Sequence, residues 1–169
     1  MGMFSQLAQG VDWSSMGAMA LRIVAVLLCL VVHEVCHGLA AYWLGDPTAK
    51  QSHRLSLNPI HHLDPFGLLM MVVVGFGWAK PVPINPRYFR HFNRDMMLTA
   101  LAGPASNLLQ AIAWAVVLKL VVMLGISERF VISVCAAGIS VNLMLMAFNL
   151  IPIPPLDGGR ILRGLLPSS

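Results

Sequence analysis

Charged side chains are scarce in this chain of 169 residues: Asp, Glu, Lys and Arg together make up 11%, against about 25% in an ordinary soluble domain. Hydrophobic residues make up 57%. So few charges cannot give a soluble domain its polar surface, and we therefore predict an integral membrane protein. The formal net charge of +4 is too small to indicate a nucleic-acid-binding protein.

Cysteine is also rare, and no polar stretch is long enough to form a soluble domain. Cys29, Cys36 and Cys135 each lie in an apolar segment, which is typical of reduced, buried thiols and argues against a disulfide framework. The chain has no internal repeat and no low-complexity tract. These absences predict a single membrane domain over residues 1–169.

Three apolar segments, at residues 17–44, 97–124 and 130–151, predict full membrane spans. Each exceeds the roughly 20 residues that a helix needs to cross about 30 Å of hydrocarbon. The first is longer than the core of a signal peptide and lacks a persuasive cleavage site, so we expect it to be retained. Residues 1–16 predict an interfacial lead-in, and residues 152–169 form the carboxy-terminal part.

The region between the first two spans, residues 46–95, differs in character. It contains six of the 11 basic residues: Lys50, Arg54, Lys80, Arg87, Arg90 and Arg94. Basic residues favour the cytoplasmic side, so we expect both ends of this region inside and the turn at residues 125–129 outside. The apolar run at 66–78 is short for a crossing helix and predicts a re-entrant element, with a thin fourth crossing as the alternative. Residues 55–57 and 82–84 look extended, which predicts a β-hairpin with 82–84 on an edge because of its prolines.

The most informative motif lies inside the first span, where residues 33–37 read His-Glu-Val-Cys-His. On a helix, residues four apart share a face, so His33 and His37 can offer two imidazole nitrogens to one metal ion. Two neutral imidazoles suit Zn²⁺, which lowers the pKa of a water that it binds. Glu34 flanks the ion and can accept that water's proton during attack on a carbonyl.

Other interpretations of the motif have to be weighed. A single histidine in a helix is usually a core residue, but the chain has only six histidines and two glutamates, so a chance match is rare. Ionisable groups in an apolar run are costly in a membrane and mark function. Cys29 and Cys36 share a helical face with the histidines, so a thiolate ligand stays open, although small cysteines also fill apolar faces.

A catalytic zinc ion normally has three protein ligands, so the motif needs one more. Asp157 is the candidate, because it alone among the acidic residues sits in apolar sequence at the cytoplasmic end of a span. Three prolines in the preceding residues 152–155 cannot continue a helix and would place it on unwound backbone. The alternative is an Asp that caps a turn before Gly158 and Gly159, which leaves the prolines unexplained.

These motifs together resemble those of the site-2 protease family of intramembrane zinc metalloproteases. The resemblance rests on residues 33–37, on Phe-Asn-Leu-Ile-Pro at 148–152 and on Leu-Asp-Gly-Gly-Arg-Ile-Leu-Arg at 156–163. Ala-Gly-Pro-Ala-Ser-Asn at 102–107 also resembles the family. Asn58-Pro59, His62, Asp64-Pro65 and residues 77–83 resemble its compact prokaryotic branch, so the similarity covers about residues 20–166.

The resemblance implies one Zn²⁺ per chain bound by His33, His37 and Asp157, with Glu34 as the general base. It implies hydrolysis of peptide bonds within or next to a transmembrane segment of a partner membrane protein, as in regulated intramembrane proteolysis. The location implied is a prokaryotic inner membrane, surrounded by lipid, with the active site towards the cytoplasm. Many members carry a soluble PDZ domain and further helix after the aspartate motif, so we expect a short branch or a trimmed end here.

The overall expectation is an all-α membrane protein with three full transmembrane helices and a re-entrant helix/β-hairpin element between the first and second. A helical substrate must unwind before it is cut, and the edge strand with Trp78 and Val82 is the candidate to hold it by β-addition. Asn107 and Asn149 are candidate amide donors to the substrate backbone or to the developing oxyanion, with interhelical hydrogen bonding as the alternative.

Two other functions remain open. One is a catalytically silent protein of the same fold that binds partner helices, whose mark would be loss of Glu34 or of a ligand. The other is a membrane zinc protease that cuts soluble tails, for which Glu128 would be a poorly placed third ligand. The sequence retains Glu34 and all three candidate ligands, which favours the intramembrane protease.

Overall fold

The computed structural model describes residues 13–62, 64–74 and 80–166, and for residues 13–23, 68, 71 and 72 it describes the backbone alone. Regular structure in these residues is helical. The helices are α1 (Trp13–Trp43), α2 (Thr48–Gln51), α3 (Pro65–Val74), α4 (Phe92–Met123), α5 (Arg129–Asn149) and α6 (Asp157–Leu165), with single 3₁₀ turns at Pro59–His61 and Pro86–Tyr88.

Three of these helices are long and apolar enough to cross a membrane: Val24–Trp43 within α1, the whole of α4 and the whole of α5. Their outer faces carry large exposed apolar side chains, such as Leu109 at 67% and Val122 at 61% exposure. Such faces are suited to lipid contact, because lipid replaces the protein core as their apolar surroundings. The expectation of a helical fold with three helices long and apolar enough to cross a membrane is confirmed for the described residues.

The predicted β-hairpin is absent from the described part of residues 46–95, where no strand occurs. The reason lies in the backbone donors of the predicted edge strand. Pro81 and Pro83 have no N–H group, and the Val82 N–H group donates to a side chain, the Glu34 carboxylate, at 3.0 Å. The re-entrant element stays a prediction: α3 has ten residues, about 15 Å of helix, which is half of a hydrocarbon core.

Helix α4 lies at the centre of the packing and contacts α1, α5 and α6. Glycines permit the close approaches: a Cβ on Gly138 of α5 would lie 2.6 Å from the Trp114 ring of α4. One on Gly164 of α6 would lie 2.5 Å from the Cβ of Met97. Close packing of this kind stabilises helix association where lipid leaves no hydrophobic driving force between helices. It also brings the polar residues of α1, α4 and α6 together.

Candidate active site

His33 and His37 lie one turn apart on α1, and their side chains are buried, with 3% and 5% exposure. Each ring is held through its Nδ1 atom by an acceptor on α4: His33 by Asn107 Oδ1 and His37 by the Thr99 carbonyl oxygen, both at 2.7 Å. A carbonyl oxygen can only accept, so both Nδ1 atoms carry the proton. The Nε2 lone pairs therefore point inward, and the two Nε2 atoms lie 3.0 Å apart.

Asp157 completes the group, because its Oδ2 atom lies 3.3 Å from His33 Nε2 and 3.2 Å from His37 Nε2. Both Nε2 atoms face this oxygen with their lone pairs, so neither imidazole donates a hydrogen bond to it. Within the described residues, the Oδ2 atom has no hydrogen-bond partner.

Three acceptor atoms thus converge on one point, and such an arrangement needs a cation at its centre. Tetrahedral ligands about 2.0–2.1 Å from one Zn²⁺ would lie about 3.3–3.4 Å from one another. The observed separations of 3.0, 3.2 and 3.3 Å are close to that value. The residues therefore fit a bound metal ion with three protein ligands, two of them neutral and one anionic.

The chain delivers Asp157 to the histidines through the irregular residues 150–156, which follow α5. Gly158 makes the turn tight, because a Cβ there would overlap the carbonyl oxygens of Leu150 and Ile151. The prolines do end the span, as predicted. Asp157 itself is not on unwound backbone, however, because it is the first residue of α6.

Gly103 of α4 lies directly against the histidine pair. A Cβ at this position would overlap His37 Nε2 and would lie 2.6 Å from His33 Cε1. No other residue leaves room for both rings, so α4 can approach closely enough for Thr99 and Asn107 to hold them. The Ala-Gly-Pro-Ala-Ser-Asn sequence at 102–107 therefore serves the site directly.

Glu34 lines a cavity of about 150 Å³ together with the two histidines and Asp157. The segment after α3 contributes Pro81, Val82 and Ile84 to the lining, and the chain from the end of α5 to the start of α6 contributes Asn149, Pro155, Leu156 and Arg160. The carboxylate is oriented by the Val82 N–H group, which donates to Glu34 Oε2 at 3.0 Å. A potential metal site, a carboxylate base and a space for a small segment of chain thus coincide.

The other predicted site residues divide between this cavity and its surroundings. Val82 and Asn149 line the cavity, and the Asn149 Nδ2 group also donates to the Leu145 carbonyl oxygen at 3.0 Å. Asn107 instead makes an interhelical hydrogen bond to His33, which was the alternative interpretation. Trp78 lies outside the described residues.

The thiolate alternative finds no support in the described part of the chain. His33, His37 and Asp157 form the group there that could hold a metal ion, and neither Cys29 nor Cys36 belongs to it. The Cys29 thiol instead accepts a hydrogen bond from Asn142 Nδ2 at 3.2 Å.

Sequence reasoning did not single out Thr99 or Arg160 as site residues, and the structure places both at the site. Thr99 acts through its backbone carbonyl, so its side-chain type carries no signal. Arg160 lines the cavity. Its position three residues after Asp157 could have indicated this, because residues at this spacing lie on the same side of a helix.

Comparison with known proteins finds relatives whose names refer to zinc metalloproteases. Residues 119–169 match the sequence model of a family described as "Peptidase family M50". The chain is 41% identical over 150 residues to "Putative zinc metalloprotease YwhC" of Bacillus subtilis, which covers 86% of this chain and 68% of the relative. It is 29% identical over 158 residues to "Putative zinc metalloprotease Rip2" of Mycolicibacterium smegmatis, which covers 86% of this chain and 57% of the relative. No solved structure gives a significant match.

Proposed function

Because this chain belongs to peptidase family M50, the site-2 protease family, we propose that it is an intramembrane zinc metalloprotease. It would hydrolyse a peptide bond within or next to a transmembrane segment of a partner membrane protein. The observation that carries the proposal is the convergence of His33 Nε2, His37 Nε2 and Asp157 Oδ2 on one point beside Glu34. His33, His37 and Asp157 would hold one zinc ion per chain.

Zinc, when bound, would acidify a water molecule and polarise the substrate carbonyl. The residues of the chain supply the remaining functions. Glu34 would accept a proton from the attacking water and transfer it to the leaving amine, so that one water is consumed per bond broken. Asn107 and the Thr99 carbonyl would keep both histidines in the tautomer that presents Nε2, which is the usual task of groups behind a metal ligand.

The substrate would have to enter as an unwound segment, because the carbonyls of a helix are occupied by its own hydrogen bonds. Val82 and Ile84 line the cavity, and no strand pairs with them in the described part of the chain. Because Glu34 takes the Val82 N–H group, we infer that an unwound substrate lies along this segment and pairs with its remaining backbone groups, such as the Ile84 N–H group. Asn149 would be a second polar contact.

The distribution of basic residues supports a proposal for the side of the membrane that the site faces. The ends of the region between α1 and α4 carry Lys50, Arg54, Lys80, Arg87, Arg90 and Arg94, and α6 carries Arg160 and Arg163. Such residues favour the cytoplasmic side. We therefore propose that the site opens towards the cytoplasm of a prokaryotic cell membrane.

The test is the substitution Glu34→Gln, which keeps the size of the side chain but removes its ability to accept the proton. The chain has one other glutamate, Glu128, which precedes α5 and makes no capping hydrogen bond through its side chain, so Glu128→Gln is the matched control. Wild type and both variants would be reconstituted with a panel of single-span substrates. Cleavage and bound zinc would be measured on the same samples.

We expect Glu34→Gln to retain zinc while its turnover falls about 10²- to 10⁴-fold, the usual contribution of general acid–base catalysis. Glu128→Gln should cleave like the wild type. Cleavage by zinc-replete Glu34→Gln at the wild-type rate would refute the mechanism. A zinc-replete wild type that binds partner helices and cuts none of them would favour the silent helix-binding protein.

A further inference from the structure

Residues 80–86, the cavity wall that contacts Glu34, are held by an unusual set of hydrogen bonds. Three of the seven residues are prolines and lack an N–H group. Of the four remaining N–H groups, three have identified acceptors elsewhere in the chain. Lys80 donates to the His62 carbonyl oxygen at 2.8 Å, Val82 to Glu34 Oε2 at 3.0 Å and Asn85 to Asp46 Oδ2 at 2.7 Å.

Asp46 follows the end of α1 and is fully buried, with 0% exposure. Its Oδ1 atom accepts from the N–H and hydroxyl groups of Thr48 at the start of α2, while Oδ2 accepts from Asn85. It has no ion-pair partner among the described residues. A buried carboxylate is costly unless hydrogen bonds satisfy it, and here three donors do so.

A local side-chain turn before α2 does not explain this arrangement. Such a turn needs one acceptor oxygen, which Oδ1 provides to the Thr48 N–H group two residues further on, and an asparagine or serine would serve as well. The second oxygen makes the contact with Asn85, 39 residues further along the chain. The carboxylate is therefore suited to joining the end of α1 to residues 80–86.

Glu34 lies on α1 and Asp46 lies just after it, and each accepts a hydrogen bond from residues 80–86. Between them, the Val82 side chain packs over Gly38, where a Cβ would lie 3.1 Å from Val82 Cγ1. Val82 is followed by Pro83, so little backbone freedom separates its N–H group from the anchored Asn85. Movement at Asn85 would consequently move the donor that orients Glu34.

We propose that Asp46 is a positioning residue for Glu34: by holding the Asn85 N–H group, it fixes the Val82 N–H group against the Glu34 carboxylate. The inference rests on the proposed role of Glu34 as the base. Asp46 contacts neither the cavity nor the candidate metal ligands, so its loss should change turnover without changing metal binding.

The first variant is Asp46→Asn, whose single amide oxygen cannot serve both sides. Two Thr48 donors compete with one Asn85 donor for that oxygen, so the contact with Asn85 should be lost. Thr48→Val is the matched control, since it removes the hydroxyl contact with Oδ1 but leaves Asn85 bound.

We expect kcat to fall about 10- to 100-fold in Asp46→Asn, in line with the cost of misplacing a catalytic group by about 1 Å. KM and zinc content should stay within about twofold, and Thr48→Val should resemble the wild type.

A second pair of variants guards against misfolding of Asp46→Asn. Asn85→Pro removes the N–H group that Asp46 holds, and Asn85→Ala keeps it. Both remove the side-chain cap that Asn85 provides to the Arg87 N–H group, so they differ in the backbone N–H group and in the φ of about −65° that proline imposes where the native φ is −112°. Only Asn85→Pro should lower kcat to the level of Asp46→Asn.

A direct measurement separates positioning from general destabilisation. Hydrogen exchange of the Val82 amide, followed by NMR on the full chain in micelles, should become at least tenfold faster in Asp46→Asn and in Asn85→Pro, while amides of α4 exchange as in the wild type. This measurement needs no substrate. If the wild type cleaves nothing, the proposed protease function fails, whereas the exchange of Val82 still decides whether Asp46 holds this segment. Wild-type kcat in folded Asp46→Asn, or unchanged Val82 exchange in both variants, would overturn the inference.

Discussion

Gly103 is the position at which the smallest chemical change should have the largest effect on the candidate metal site. In Gly103→Ala the new Cβ would overlap His37 Nε2 and lie 2.6 Å from His33 Cε1, whereas ordinary contact begins at 3.4 Å. The new Cβ and the His33 ring would therefore have to separate by 3.4 minus 2.6, or 0.8 Å, to reach ordinary contact. Metal–ligand distances in a functional site vary by only about 0.2 Å.

Neither histidine can move aside freely, because Asn107 and the Thr99 carbonyl hold them from the same helix that carries Gly103. Relief must come from separating α4 and α1 or from breaking these hydrogen bonds. Overpacking of this kind costs about 1–3 kcal/mol of stability, and loss of a group behind a metal ligand weakens metal affinity about 10- to 100-fold. We therefore expect Gly103→Ala to bind zinc about 10- to 100-fold more weakly than the wild type.

The assay is a zinc titration of the full chain against a chelator of known affinity, with thermal unfolding measured in parallel. Gly138→Ala is the matched control, because its Cβ would lie 2.6 Å from the Trp114 ring, as close as the Cβ of Gly103→Ala would lie to His33 Cε1. This control should lower the melting temperature but leave zinc affinity unchanged. A Gly103→Ala protein that binds zinc like the wild type would refute the assignment of the histidine pair as ligands, and equal losses in both variants would reduce the effect to general destabilisation.

Three further predictions test the ligand set, its support and the topology. Asp157→Ala should lose most of its bound zinc on dialysis, measured by elemental analysis, because two neutral ligands remain; full retention would exclude Asp157 as a ligand. Asn107→Leu should weaken zinc binding about 10- to 100-fold in a chelator titration, because the His33 Nδ1 atom loses its acceptor, while Asn107→Asp keeps an acceptor and should bind closer to the wild type. In a chain without native cysteines, an impermeant thiol reagent should label both Ser52→Cys and Arg90→Cys from the cytoplasmic side only; labelling of Ser52→Cys from outside would show that the region around α3 crosses the membrane.

Local periodicity explains why part of the site was predictable from sequence. The positions of His33 and His37 on one face follow from helix geometry, and a long apolar segment is enough to make that helix. The same reasoning located α4 and α5 to within a few residues, since lipid leaves a continuous apolar chain little choice but a helix. The aspartate motif after the prolines was also visible, although its contact with the histidines was a prediction.

Contacts between distant residues decided the rest. The β-hairpin expected around residues 82–84 is missing from the described chain, because side chains of α1 and its C-terminal turn take the backbone donors that a neighbouring strand would need. The sequence suggested equally that Asn107 binds substrate or makes an interhelical hydrogen bond. It bonds to His33 because α4 approaches α1 closely at Gly103. Sequence by itself determined that His33 and His37 could share a metal and which three segments are long and apolar enough to cross a membrane, since both depend on neighbours along one helix. Tertiary structure decided what holds those residues in place, since that depends on helices whose approach no local pattern encodes.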